Sequence, residues 1–198
     1  MLPDRKLSEN FTLHELLRSA TAERNPDLRK QQWSPGKKVV ANLQYLATVW
    51  LQPVRDLLRC RITVTSGYRC PWLNGIVGGS ERSQHKVGQA ADLQISEDFV
   101  SADRHAAARR QVQVQFVAAT GVGIGFKANA NFYLFAATVL ALEKFDIDQV
   151  IHEYGEGYGR PAWIHGAAST KKSKRQVLVI GPYSKPKTRI VTPSEALA

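Results

Sequence analysis

Long apolar runs are missing from this chain: none approaches the roughly 18 to 20 residues that a membrane-spanning helix needs. The start, Met1-Leu2-Pro3-Asp4-Arg5-Lys6, carries no apolar stretch of the kind found in secretory signals, so synthesis in the cytoplasm without a signal peptide is expected. Cysteine is scarce. Cys60 and Cys70 bracket a segment whose first half reads as a strand, and a straight strand at about 3.3 Å per residue separates its ends far beyond the roughly 7 Å Cα limit of a disulfide. Free thiols are expected, although a sharp turn at Ser66-Gly67 leaves a bridge open. Acidic residues are outnumbered, 17 against 27 basic, and the net charge of +10 favours polyanionic partners through long-range steering. Part of that charge lies in Lys171-Lys172-Ser173-Lys174-Arg175 and Lys185-Pro186-Lys187, where the plain alternative is a solvated loop and tail. No zinc-finger or aromatic RNP signature accompanies it, so no specific nucleic-acid partner is expected. Gly121-Val122-Gly123-Ile124-Gly125 lacks the G-x-G-x-x-G form of a dinucleotide site, and no internal repeat is present.

What is present suits one globular domain spanning 1–198, with 43% hydrophobic and 22% charged residues. Thr12-Leu13-His14-Glu15 has the form of a capping box and opens a short helix that Asn25-Pro26 ends. Val39, Val40, Leu43, Leu46, Ala47, Trp50 and Leu51 repeat at helical spacing, and Val54, Leu57 and Leu58 follow a kink expected at Pro53. Ile62 to Thr65 reads as a strand delivering Tyr68 and Arg69 to a loop, and Pro71 to Val77 as a short helix ended by Gly78-Gly79. A second strand is expected after Asp92. Ser101 to Ala119 reads as a helix broken by the alternation Gln111 to Gln115, and Phe132 to Leu142 as a buried helix or, over its first four residues, a strand. Asp148 to Tyr154, Ala162 to Ala167 and Gln176 to Ile180 read as strands. Trp33, Trp50 and Trp72 are expected as core or loop anchors, and His14 and His105 as surface or capping residues.

Three polar residues stand out from this scaffold: His85 and Asp92 in Ser83-Gln84-His85-Lys86-Val87-Gly88-Gln89-Ala90-Ala91-Asp92, and His165 in Trp163-Ile164-His165. Two imidazoles and a carboxylate are the donor set of a catalytic zinc that keeps its fourth position open. The H-x6-D spacing alone occurs in many chains. On a strand, Trp163 and His165 share one face while Ile164 points to the other.

The wider context is more specific. Ser66-Gly67-Tyr68-Arg69-Cys70-Pro71, Leu73-Asn74, Val77-Gly78-Gly79-Ser80 and Ser83 to Asp92 resemble the M15 peptidases, the zinc D-Ala-D-Ala carboxypeptidases and related phage endolysins. The resemblance extends to Asn10-Phe11-Thr12-Leu13-His14-Glu15-Leu16, to Asp148-Gln149-Val150-Ile151-His152-Glu153-Tyr154-Gly155 and to Trp163-Ile164-His165. It implies an α+β fold of the Hedgehog/DD-peptidase type, a small antiparallel sheet with flanking helices, with a divergent or inserted segment around 101–145 and a basic C-terminal tail. It implies Zn²⁺ on His85, Asp92 and His165, and Arg69 holding a substrate carboxylate or carbonyl, a task suited to a planar guanidinium. Ser83, Tyr68 and Trp163 are the further candidates for substrate contact.

The proton-transferring residue departs from two family patterns, because Ala162 and Trp163 occupy the places where an acid or a histidine stands in those subgroups. Glu153 in Glu153-Tyr154-Gly155 matches a third subgroup and is the expected catalytic base, with Glu156 as rival. His152 alternates to the opposite strand face. The expected activity is hydrolysis of peptidoglycan stem peptides or cross-links, by a carboxypeptidase or an endolysin-type endopeptidase. The charge and the start of the chain lean toward a phage or prophage lysin, acting as a monomer on the wall after release. The competing expectation is a noncatalytic wall-binding or virion structural module that keeps the fold.

Overall fold

Apolar periodicity decides the first half of the chain. In the computed structural model, which describes residues 2–155, 160–170, 174–180 and 188–190, helix α1 (Leu13–Leu17) begins at Thr12 with both hydrogen bonds of a capping box and buries Leu13, Leu16 and Leu17. It ends earlier than expected. Ser19 caps α2 (Ala20–Glu23), and Asn25, read as a terminator, instead caps α3 (Pro26–Gln32) by accepting from the backbone of Asp27 and Leu28. Pro26 suits a first helical turn because its missing N–H has no partner there in any helix.

Helix α4 (Lys37–Leu46) runs through a π-helical turn, Ala47–Leu51, into α5 (Gln52–Leu58). The break expected at Pro53 is thus a widened turn just before it, the local remedy for the bond a proline cannot donate. Strand β1 (Ile62–Ser66), helix α6 (Pro71–Ile76), a 3-10 turn at Gln84–Val87 and strand β2 (Ala90–Ile95) follow. Asp92 lies within that strand rather than before it. After α7 (Asp98–Ser101) and a 3-10 turn at Asp103–His105, α8 (Ala106–Thr120) is unbroken: Val112 and Phe116 are buried four residues apart, and helical burial overrides the local alternation. Helix α9 (Ala130–Lys144) settles the ambiguity at Phe132 to Phe135 in favour of helix. Strands β3 (Ile147–Glu153), β4 (Trp163–Ala168), β5 (Gln176–Ile180) and the unforeseen β6 (Thr188–Ile190) complete one α+β fold.

The sheet runs β1-β2-β4-β3-β5-β6, antiparallel except for the β3–β5 pair. One face receives α9 and the α4–α5 rod. Trp50 is fully buried there, its indole donating to Thr138 of α9, and Gly166 of β4 lies directly on its ring: an added Cβ would sit 2.3 Å from the indole. Phe135 packs edge-on against His152 on that same face. The other face carries the polar side chains. Trp33 is buried as expected, whereas Trp72 is exposed, and Cys60 and Cys70 are free thiols. No helix among the described residues is long and apolar enough to cross a membrane.

Candidate metal centre and cleft

Sheet register assembles the centre. Asp92 is the cross-strand partner of Ser66 in β1 and of His165 in β4, and directly paired residues project from the same face. Asp92 Oδ1 lies 2.8 Å from His165 Nδ1 and 3.3 Å from His85 Nε2, and the two imidazole nitrogens are 3.2 Å apart. Asp92 Oδ2 accepts from Arg69 Nη2 at 2.5 Å, while Arg69 Nε donates to Ser66 Oγ at 2.8 Å. The carboxylate is thereby split, with one oxygen toward the histidines and one toward the guanidinium.

His85 comes from outside the sheet, on the 3-10 turn that Gly88 ends at φ +72°. Its Nδ1 donates to the carbonyl of Gly67 at 2.6 Å, so Nε2 presents a lone pair to the other two residues. Gly67 has no room for a side chain: a Cβ would lie 2.3 Å from the Leu16 carbonyl oxygen, where the chain passes the end of α1 and Tyr68 N–H donates to Leu16. Arg69 N–H in turn donates to the His85 carbonyl. The Ser-Gly-Tyr-Arg segment is fastened from behind by buried Gln32, whose Nε2 donates to the carbonyls of Leu17 and Tyr68 and whose Oε1 accepts from Cys70 N–H.

Three donor atoms this close fit a small cation. Bonds of about 2.0–2.2 Å at tetrahedral angles place ligand atoms about 3.3 Å apart, and the observed separations of 2.8, 3.2 and 3.3 Å match a shared ion after slight expansion. Burial alone would raise the Asp92 pKa, but its close contacts with His165 and His85 hold it well below the ordinary range. Asp92 therefore stays ionised, as a metal ligand must.

Beside the trio, Glu153 of β3 is paired in register with Trp163 of β4, so the two side chains share the cleft face. Burial raises the Glu153 pKa; His165, Trp163 and Arg69 pull it down and Asp92 pushes it up, and the net is upward. Such a carboxylate holds a proton more readily than a solvated one.

These side chains line one cleft of about 640 Å³, within the range of small-molecule sites. His85, Asp92, His165, Arg69, Glu153, Trp163 and Ser83 all border it. Tyr68 does not: its side chain is buried in the core, which corrects its assignment to substrate contact. Glu156 lies outside the described residues, as do Lys171, Lys172 and the Lys185-Pro186-Lys187 run. Among the described residues of the segment 101–145 none lines the cleft, and Val112, Phe116, Leu134 and Phe135 pack into the core. His14, His105 and His152 are likewise absent from it, and His105 is buried against Phe99 rather than on the surface.

Several lining residues were not singled out from sequence. Tyr154 follows Glu153, so strand alternation would send it to the opposite face, but a φ of +49° turns the chain and lays its ring 5.2 Å from that of Trp163. Arg18 and the Ser19–Thr21 cap form another wall. The Gly78–Ser80 wall is held by Asn74, whose Nδ2 donates to the carbonyls of Gly79 and Ser80.

Against known proteins, the profile of the peptidase M15 family matches residues 9–132, more than half of the chain. The chain belongs to the peptidase M15 family. The match takes in His85 and Asp92 and ends before β3, so Glu153 and His165 lie beyond it. Among known proteins, the zinc D-Ala-D-Ala carboxypeptidase of Streptomyces albus G is 40% identical over 88 residues, 42% of this chain and 31% of that protein. The chain thus matches under a third of that relative's length.

Proposed function

We propose that this M15 chain is a single-domain zinc peptidase that hydrolyses peptide bonds in peptidoglycan stem peptides or cross-links. The observation that carries the reading is the trio of donor atoms 2.8–3.3 Å apart with a protonatable carboxylate in the same cleft. His85 Nε2, Asp92 Oδ1 and His165 Nδ1 would hold the ion. Zinc, when bound, supplies polarisation of the scissile carbonyl and acidification of the attacking water.

The chain's own groups do the rest. Glu153 takes a proton from the attacking water on its carboxylate and returns it to the nitrogen of the leaving amine, and its raised affinity for protons suits both transfers. Trp163, its cross-strand neighbour, walls the cleft beside that carboxylate. Arg69 is committed to Ser66 and Asp92 through Nε and Nη2, which leaves Nη1 for a substrate oxygen. Trp163 and Tyr154 offer an aromatic wall for the peptide. The positive charge of the chain favours an anionic wall as its setting, and action as a released lysin is the form we infer.

Incubation of purified protein and one equivalent of zinc with peptidoglycan, followed by mass spectrometry of the released muropeptides, tests this. New amino termini that vanish in Glu153→Gln support it, and the product masses identify the bond. Zinc binding with no release would leave a noncatalytic wall-binding module as the better reading.

A further inference from the structure

Asp148 sits at a break in the β3–β4 ladder: Ile147 pairs with Ala168 and Gln149 with Ala167, so Asp148 is the extra residue of a bulge. Bulges re-aim side chains and are frequent beside active sites. This one turns a carboxylate inward. Asp148 is only 5% exposed, its Oδ2 accepts from Gln84 Nε2 at 3.0 Å, and its Oδ1 accepts from Lys174 N–H at 2.9 Å. Gln84 immediately precedes His85 and opens the 3-10 turn that carries it. The far end of that loop is tied as well, since Gln89 N–H donates to the Gln84 carbonyl and Gln89 accepts from Ala168 N–H.

We propose that Asp148 is a positioning residue for the metal centre, holding the His85 turn against β3 and the connection before β5 so that Nε2 reaches the ion. The inference rests on the metal reading of His85, Asp92 and His165. Both partners of Asp148 are donors, and only a carboxylate accepts from both. An amide in its place keeps one acceptor and turns its other end into a donor that faces a donor.

The reciprocal exchange restores the pattern. In the double variant Asp148→Asn with Gln84→Glu, the introduced amide donates to the introduced carboxylate and still accepts from Lys174 N–H. The test measures zinc affinity by chelator competition and the absorption spectrum of the cobalt-loaded protein for wild type, Asp148→Asn and the double variant, with thermal unfolding of each metal-free protein as the control for folding. Loss of a partner bonded directly to a metal ligand weakens binding by about 10- to 100-fold, and Asp148, which bonds Gln84 beside His85 and not His85 itself, takes the low end of that range. The expected result is a loss of about tenfold in Asp148→Asn with an altered cobalt spectrum, and recovery in the double variant. Unchanged affinity and spectrum in Asp148→Asn, or a loss that the double variant does not recover, overturns the positioning role while leaving the metal site standing. A wild-type protein that binds neither ion overturns both.

Discussion

Asp92 Oδ1 and His165 Nδ1 lie 2.8 Å apart across the β2–β4 pair, joined by register although 73 residues separate them in sequence. Sheet register sets this contact, so an ion held there binds the folded chain and not the unfolded one. Zinc should therefore raise the unfolding temperature, by the equivalent of about 2.7 kcal/mol when its free concentration is about 100 times its dissociation constant. Chelation should reverse the shift, and Asp92→Ala or His165→Ala should abolish it. Thermal unfolding with and without zinc and chelator checks each outcome.

Glu153 is half-buried beside the trio, and its partial burial raises its pKa. As the proton acceptor it must be ionised, and Glu153→Gln should lower kcat of the zinc-loaded protein by about 10²- to 10⁴-fold. In the metal-free protein the raised pKa bears on stability. A folded state that binds this proton more tightly than the unfolded chain gains stability as pH falls through the folded pKa, and at neutral pH the ionised group opposes folding. Metal-free Glu153→Gln should therefore unfold at a higher temperature than wild type at pH 7. The advantage should shrink on acidification, and unfolding scans across pH 4 to 7 would measure it.

Helices with capping boxes and apolar stripes were legible residue by residue: Thr12 to Leu17 and Val40 to Leu58 needed no partner to be recognised. His85, Asp92, His165 and Glu153 were legible as candidates because their types and neighbours are those of a known family. Their convergence was not legible in spacing, since it depends on which strands pair and in what register. Tyr68 misled because its loop neighbour Arg69 faces the cleft while its own ring turns into the core. Tyr154 was missed because alternation holds only while the backbone stays extended, and the chain leaves that region at φ +49°.

Gln32 belongs to no motif read from the sequence. It is fully buried and satisfies two carbonyls and one N–H around the Arg69 segment. Each buried group left unpaired costs about 1–3 kcal/mol. Gln32→Leu should thus destabilise the fold by at least about 3 kcal/mol, measurable by denaturant unfolding. Gln32→Glu keeps an acceptor for Cys70 but removes the donor to Leu17 and Tyr68, and should lose most of the same stability.

Arg18 adds a second cation to the cleft wall. Asp92 and Glu153 would be matched by a divalent ion, and Arg69, tied to Asp92 and Ser66, has only Nη1 to offer, so among the described residues Arg18 is the lining cation best placed to meet a carboxylate on the substrate. Its exposure keeps the pair in water, where such contacts are worth about 0.2–1 kcal/mol, up to roughly fivefold in affinity. Arg18→Ala should raise KM by about two- to fivefold for peptides carrying a free side-chain carboxylate and leave kcat nearly unchanged, because Arg18 touches none of the groups that move protons. The same peptides with that carboxylate amidated should show no difference between the two proteins. Added salt should narrow the gap for the acidic peptides, as screening acts on exposed charges first. A fall in kcat, or an equal effect on acidic and amidated peptides, would place Arg18 in the packing of the α1–α2 corner instead.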